Sequence, residues 1–207
     1  MEKAKDYLSF LVDEVHSTVF ATVDKNGEPE TSIIDLMLYD EDSVYFLTAK
    51  GKPFYDRLMD KKVVSISAMK GMNTMSTKAI MMKAKVMNIG RDKLDEIFEK
   101  NTYMNEIYTS EESKMALEVF KVYDMEGEYL DMSQQPILRK TFSIGGGNVR
   151  KASYHINGDC IGCGKCFEVC SFKAIKKGNP YKIIDNYCFE CGNCYSVCPV
   201  NAVDKNN

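Results

Sequence analysis

The residues best suited to chemistry in this chain are its 8 cysteines, which all lie near the C-terminal end. They form two runs of C-x2-C-x2-C-x3-C spacing, at Cys160, Cys163, Cys166 and Cys170 and then at Cys188, Cys191, Cys194 and Cys198. Three thiolates on one tight loop, with a fourth from elsewhere, are typical ligands of a cubane iron–sulfur cluster. The spacing therefore predicts two 4Fe-4S clusters.

The two runs are copies of one unit. Subtracting 28 from each cysteine number of the second run gives the first run, and Gly192 falls on Gly164 in the same way. In paired runs of this kind the fourth cysteine ligates the other cluster. The predicted ligand sets are Cys160, Cys163, Cys166 and Cys198 for one cluster, and Cys188, Cys191, Cys194 and Cys170 for the other.

A pair of zinc sites is the alternative reading of the cysteines, although zinc favours two separated C-x2-C pairs. Residues 158–207 closely resemble the bacterial two-cluster ferredoxins, which implies a small α+β domain that folds around its clusters. One position departs from that pattern, because Ser171 follows the first run whereas Pro199 follows the second. The loop after Cys170 is thus expected to lack the fixed φ that proline provides.

Length and charge limit the remaining possibilities. The 207 residues allow one domain with a full core and one small appendage, and the net charge of −3 gives no basic excess for nucleic acid. The N-terminal stretch MEKAKDYLSFLVDEV resembles neither a signal peptide nor a membrane span. We therefore expect a cytoplasmic protein with no membrane or nucleic-acid partner, in which cysteines serve metal chemistry.

Methionine and cysteine divide the chain into two parts. All 13 methionines lie between Met1 and Met132, whereas the cysteines begin at Cys160. The stretch SIGGGNVRKASYHINGD between them has the composition of a linker. The predicted domains are residues 1–144, a glycine-rich linker over 145–157, and a two-cluster domain over 158–207.

The N-terminal domain is predicted to be mainly β (α+β in class), a small antiparallel barrel with few helices. An amphipathic helix comes first, and TVFATV and ETSIIDLMLY flank the turn DKNG as in a hairpin. Further strands are predicted from Ser43, Lys62 and Lys78, followed by helices in RDKLDEIFEKN and EESKMAL. EVFKVYDM and GEYLDMS are predicted to be a closing strand pair.

A basic turn follows the strand VYFLT. This strand is predicted to end at Thr48, the turn carries Lys50 and Lys52, and Pro53 stands where a helix would begin. Free N–H groups at a helix start, two lysines and a threonine hydroxyl could together bind a phosphate. Lysines beside a turn are also common as solvated surface residues, so the turn alone leaves both readings open.

The order of these elements over residues 4–135 resembles the FMN-binding split-barrel family, the pyridoxamine-phosphate-oxidase-like flavoproteins. The resemblance implies an FMN-binding split β-barrel that forms a homodimer with FMN between the subunits. The residues that it assigns to FMN are Thr48, Lys50 and Lys52 for the phosphate, and Ile33, Ile34 and Asp35 for the flavin ring.

Two departures argue against a true pyridoxamine-phosphate oxidase. Many members carry an arginine on the second strand where this chain has Thr31, and no Arg-x-His segment follows the barrel. The only histidines are His16 and His155, for which structural or solvated roles are expected, and haem is not expected. Six methionines between Met69 and Met87 are interpreted as core or interface filling, with a pocket wall over the flavin as the alternative.

The combination predicts an FMN-dependent oxidoreductase in which the clusters exchange single electrons with FMN, which reduces a small acceptor. The acceptor classes considered are nitroaromatics, quinones, flavins and unsaturated organic compounds, and a ferredoxin-type protein is the expected redox partner. One alternative is an electron carrier or redox sensor without a substrate of its own. Another is a barrel that binds no flavin.

Overall fold

The computed structural model describes residues 3–146, 149 and 153–206. The chain divides into two compact units. The first is Met1–Lys70, Ala79–Gly127 and Ser143–Asn148, and the second is Gly71–Lys78, Glu128–Phe142 and Val149–Asn207. This division differs from the predicted boundary at residue 144, because two segments of the predicted N-terminal domain group with the C-terminal residues.

The strands alternate with short helices. In chain order the strands are β1 Ser17–Val23, β2 Pro29–Asp35, β3 Leu38–Tyr39, β4 Val44–Ala49, β5 Val63–Lys70, β6 Lys78–Asn88, β7 Leu117–Asp131, β8 Leu138–Ile144, β9 Tyr154–Ile156, β10 Ile175–Lys176, β11 Lys182–Ile183 and β12 Val203–Lys205. The α-helices are α1 Ala4–Ser9, α2 Pro53–Lys61, α3 Leu94–Lys100, α4 Met104–Ile107, α5 Lys165–Glu168 and α6 Asn193–Ser196. A π-helical segment, Phe10–Val15, continues α1.

One eight-stranded sheet has the order β2-β1-β5-β6-β7-β4-β3, with β8 paired to β7. The predicted hairpin is present, since β1 and β2 pair antiparallel from Ser17 with Asp35 to Val23 with Pro29. Its turn is closed by the Asp24 carboxylate, which accepts hydrogen bonds from the N–H groups of Asn26 and Glu28. The turn sequence thus fixes the register of the first two strands.

The predicted closing strand pair is wrong. Residues 117–131 form the single strand β7, which lies between β6 and β4 in the sheet. It also pairs with β8, a strand that was not predicted from the sequence. Gly127 lies within β7, where a Cβ would collide with the backbone of Met81 and Met82. Glycine is required here for close approach of the chain and not for a turn. The helix predicted in EESKMAL is only a 3₁₀ turn, Glu112–Lys114.

The core of the first unit lies on the inner face of the sheet. Three phenylalanines are fully buried there, Phe20, Phe46 and Phe120. The ring centroid of Phe46 lies 5.0 Å from that of Phe20 and 5.5 Å from that of Phe120. The Phe54 ring of α2 packs against the rings of Phe20 and Phe46, each at a centroid distance of 6.1 Å. These aromatic contacts hold α2 against the sheet, and they thereby fix the position of the basic turn that precedes the helix.

The outer face of the sheet carries exposed apolar side chains. Burial alternates along β5 and β6, and the exposed set includes Val19, Ile33, Val63, Met69, Met81 and Met87. Core filling is therefore wrong for most of the methionine group, in which Met82 is buried and Met72 is 98% exposed. An exposed apolar face of this kind is typical of a surface that binds a ligand or another protein.

The second unit contains two small ladders in its C-terminal part. β9 pairs antiparallel with β12, and β10 pairs with β11. Tyr154–Ile156, which was assigned to the linker, is thus a strand, whereas Gly147 of the linker lies outside the described residues. Among the described residues, no helix has both the length and the apolar character needed to cross a bilayer.

The aromatic core generates a stability prediction. Phe46→Ala is expected to reduce the free energy of unfolding by about 3–5 kcal/mol, because it removes a fully buried ring from between three others. Met72→Ala, at an exposed position, is expected to change it by less than about 0.5 kcal/mol. Urea unfolding followed by circular dichroism measures both. Equal effects of the two substitutions would contradict this assignment of the core.

Candidate functional site

The two cysteine runs have the same backbone conformation. Gly164 and Gly192, before α5 and α6, have φ values of 83° and 80°. Lys173 and Asn201, which are also 28 residues apart, have left-handed φ values of 54° and 52°. The duplication seen in the sequence therefore extends to the backbone, and Ser171 in place of a proline leaves the following turn unchanged.

The cysteines surround two separate cavities in the predicted combinations. One cavity is lined by Cys160, Cys163, Cys166 and Cys198, and the other by Cys170, Cys188, Cys191 and Cys194. The remaining walls are mainly apolar. They include Ile156, Tyr181 and Val203 in the first cavity, and Phe172, Ile175, Ile183 and Phe189 in the second. Each fourth cysteine thus lies with the three cysteines of the other run.

Backbone N–H groups point at the sulfurs. The N–H groups of Ala174 and Ala202 donate to Cys170 Sγ and Cys198 Sγ at 3.3 Å and 3.2 Å. The N–H of Glu190 donates to Cys188 Sγ at 3.4 Å. Such bonds stabilise thiolate ligands and adjust cluster potentials, so the residues present fit iron–sulfur clusters.

Burial disfavours the thiolates when no metal is bound. Desolvation raises the pKa of the Cys194 thiol to about 11 and also raises the pKa values of Cys166 and Cys188. Since the thiolate is the ligand, cluster binding must displace these protons and compensate the desolvation.

The spacing within each cavity also bears on the zinc alternative. A zinc ion needs four sulfurs, each about 2.3 Å from one point. In the part of the chain that the structure describes, no three His, Cys, Asp or Glu side chains lie close enough to share a single ion. The cysteines lie instead around a space, which is the arrangement that a polynuclear cluster needs.

The residues assigned to the FMN phosphate have different environments. Thr48 is buried on β4, and the Lys50 ammonium lies 2.8 Å from the Glu118 carboxylate. Lys52 precedes α2, which begins at Pro53 as predicted, and forms no ion pair among the described residues. Lys52 is thus the residue of the three whose charge is available to a phosphate, although Asp56 in the first turn of α2 opposes an anion.

The carboxylate of Glu118 is the group that holds the Lys50 ammonium in an ion pair. The same carboxylate also accepts hydrogen bonds from Tyr55 Oη at 2.6 Å and from Asn88 Nδ2 at 2.5 Å. The bonds from Lys50, Tyr55 and Asn88 lower the pKa of Glu118 to about 2, so the side chain is ionised at neutral pH. Lys50 neutralises this charge and is engaged without any ligand.

The residues assigned to the flavin ring lie on β2. Ile33 is 69% exposed on the outer face, whereas Ile34 and Asp35 are half-buried. Asp35 accepts a hydrogen bond from Ser17 Oγ at 2.6 Å and lies 3.6 Å from His16 Nε2. Ile33 can therefore offer an apolar surface to a ring, while Asp35 belongs to a polar cluster at the strand end.

The sequence analysis did not identify Tyr103 as a member of that polar cluster. The Tyr103 hydroxyl lies 3.0 Å from His16 Nε2 and donates to Asp35 Oδ2 at 3.4 Å. Burial and the Asp35 carboxylate raise the pKa of Tyr103. No sequence signal connects Tyr103 with Asp35, because 68 residues separate them. The other histidine, His155, lies 3.1 Å from the Asp204 carboxylate.

A cavity of about 690 Å³ lies on the outer face of the sheet. Its charged lining consists of Lys61, Lys83, Lys85, Asp124 and Glu126. Lys83 and Lys85 pair with Glu126 and Asp124, so their charges largely cancel. The lining includes none of the six residues assigned to FMN, and the structure does not bring those six together around this cavity.

The C-terminal sequence matches a known family model. Residues 155–204 match the model described as a 4Fe-4S dicluster domain. This segment is a 4Fe-4S dicluster domain. The match agrees with the eight cysteines around two cavities, and it leaves the pairing of individual cysteines in the dicluster domain as a prediction.

The N-terminal region has the fold of known split-barrel structures. A NimC/NimA family protein of Clostridium acetobutylicum superposes with a TM-score of 0.55 at 18% identity, covering 68% of this chain and 93% of that one. A protein of the same organism, related to general stress protein 26 and of the pyridoxinephosphate oxidase family, gives 0.53 at 12% identity, covering 68% and 94%. At these identities the comparison shows the fold alone.

A protein described as haem-binding also contains this fold. A haem-binding protein of Mycobacterium smegmatis superposes with a TM-score of 0.52 at 10% identity, covering 68% of this chain and 59% of that one. No curated protein matches the chain in sequence. The split-barrel fold is therefore established, whereas the ligand of the barrel in this chain needs its own argument.

The crossed cysteine sets generate a prediction for single substitutions. Cys170→Ala and Cys191→Ala are expected to lose the same cluster, because both residues line one cavity. Cys198→Ala and Cys163→Ala are expected to lose the other. Electron paramagnetic resonance of the reduced proteins, with iron quantitation, measures which cluster is left. If Cys170→Ala instead leaves the same spectrum as Cys163→Ala, the crossed pairing is wrong.

Proposed function

We propose that this protein is an oxidoreductase in which two 4Fe-4S clusters exchange single electrons with FMN, which reduces a small acceptor. The observation that carries the proposal is the presence of a dicluster domain and a split-barrel fold in one chain. A flavin can exchange either one or two electrons, whereas each cluster exchanges one, so the pair links the two kinds of chemistry. The dicluster domain by itself supports a redox role.

The first unit offers two features that suit a flavin phosphate ester. Lys52 provides an uncompensated cation at the start of the nine-residue helix α2, whose first N–H groups favour an anion. Ile33 provides an exposed apolar side chain for a ring system. Thr48 and Lys50 would contribute less than the family resemblance implies, because Thr48 is buried and Lys50 is bound to Glu118.

The assembly that we propose is a homodimer. The outer face of the sheet exposes apolar residues on four strands, and a second copy would bury this face and close the flavin site.

The redox partner that we propose is a ferredoxin-type protein, which would supply electrons to the clusters or accept them, in the cytoplasm. The acceptor would be a nitroaromatic, a quinone, a flavin or an unsaturated organic compound.

An electron carrier or redox sensor is the second candidate function. It is favoured by the lining of the cavity of about 690 Å³, which includes none of the six residues assigned to FMN. In that case FMN would relay electrons without reducing a small molecule.

The flavin proposal predicts a phosphate-specific effect at Lys52. Anaerobically purified protein is expected to contain about eight irons and one FMN per chain. Lys52→Ala is expected to weaken FMN binding by about tenfold or more, because it removes one charge-assisted contact to the phosphate. Riboflavin, which has no phosphate, should bind equally to both proteins. Flavin fluorescence titrations measure the four affinities.

Lys61→Ala is the matched control, since it removes an exposed lysine from the other end of α2. It should leave FMN binding unchanged. Native protein without flavin, together with no binding of added FMN, would overturn the flavin proposal. An equal loss of FMN and riboflavin affinity in Lys52→Ala would show that Lys52 does not bind the phosphate.

The enzyme and carrier hypotheses predict different oxidation behaviour. Protein reduced under anaerobic conditions is mixed rapidly with each class of small acceptor, and flavin absorbance is followed by stopped flow. Rapid reoxidation by one class of compound is expected for the enzyme. Reoxidation by an oxidised ferredoxin alone would contradict the enzyme hypothesis and support the carrier.

A further inference from the structure

The two cysteine loops differ at one position where the backbone is left-handed in both. Gly162 in the first loop corresponds to Glu190 in the second, 28 residues later, and their φ values are 67° and 55°. This left-handed conformation suits glycine and is uncommon for glutamate. A side chain held there despite its conformational cost is expected to have a role that glycine could not fill.

Glu190 joins the second loop to two other segments. Its N–H donates to Cys188 Sγ, and its carboxylate accepts hydrogen bonds from the Ser153 N–H at 3.0 Å and from Arg139 Nη2 at 3.3 Å. The side chain is only 14% exposed. Glu190 therefore makes both the hydrogen bond to the cysteine sulfur and the contacts that anchor the second loop.

Arg139 is the centre of this arrangement. Its Nη1 donates to the carbonyl oxygen of Cys188 at 3.0 Å, and its Nε donates to Glu128 Oε2 at 2.8 Å. Its Nη2 donates to both Glu128 and Glu190, and the side chain is 12% exposed. One guanidinium thus holds the Cys188 loop and neutralises part of the charge of two carboxylates.

We propose that Arg139 is a positioning residue of the second cluster site, that of Cys170, Cys188, Cys191 and Cys194, and sets its reduction potential apart from that of the first. Reduction adds one electron to a cluster, so nearby negative charge disfavours it. Arg139 offsets Glu128 and Glu190 and fixes the loop whose N–H groups bond the sulfurs. The first loop has no equivalent carboxylate, because its corresponding residue is Gly162. This proposal rests on the dicluster part of the proposed function and not on the flavin.

Two charge-changing substitutions test the proposal through opposite signs. Arg139→Gln removes the cation that pairs with both carboxylates, so the potential of one cluster is expected to fall. Glu190→Gln removes one negative charge and keeps hydrogen-bonding groups, so the same potential is expected to rise. In the double variant, with the original net charge, it should return towards that of the native protein. The potential of the other cluster should not move in any of the three.

The measurement is an anaerobic redox titration of the holoprotein followed by electron paramagnetic resonance of the reduced clusters, with iron and sulfide quantitation. Lys177→Gln is the control, because it removes an exposed cation of the same domain that lies over the Phe167 ring. It should leave the second cluster unchanged. These readouts do not require bound flavin, so failure of the flavin proposal leaves them valid.

Three results would overturn the proposal. They are shifts of the same sign in Arg139→Gln and Glu190→Gln, equal shifts of both clusters, and no shift in either variant. If Arg139→Gln does not retain both clusters, Glu190→Gln alone decides, and a potential that falls or stays constant in it rejects the proposal.

Discussion

The C-terminal domain depends on its metal ligands more than on an apolar core. Of the described residues from 153 to 206, only Ala174, Ile175, Cys188, Ala202 and Val203 are buried. So small a core does not offset the conformational entropy of about 50 residues, and domains of this size usually need metals or disulfides. Because the crossed cysteine sets tie the two halves of the duplication together, binding and folding of this domain are expected to be one process.

The same cysteines show how a duplicated unit can acquire two different sites. The backbone of each loop repeats, including the left-handed residues Lys173 and Asn201 that follow the fourth cysteines. Identical ligands and loops would give similar potentials, so any difference must come from the surroundings. Glu190, with Arg139 and Glu128, supplies such a difference through charge, without altering a ligand.

The features that followed from the sequence are those set by local chemistry. The DKNG turn, the helix start at Pro53 and the paired cysteine runs each depend on residues close together in the chain. The pairing of Lys50 with Glu118 depends instead on the register of β4 with β7, in which Thr48 lies opposite Glu118. The continuous strand β7 was not predicted for a related reason, since the close approach at Gly127 is set by a neighbouring strand that the local sequence does not identify.

The asymmetric use of charge extends to the barrel. A phosphate site usually combines several cations with free N–H groups, but Lys50 is engaged by Glu118 and Arg57 donates through Nε to Thr22 Oγ1. Lys52 therefore has to supply much of the charge that would hold FMN by its phosphate. A flavin held in this way depends more on apolar contacts to its ring, and Ile33 alone covers little of it. The proposed second copy, bound on the exposed outer face of the sheet, would supply further apolar cover for a ring bound at β2.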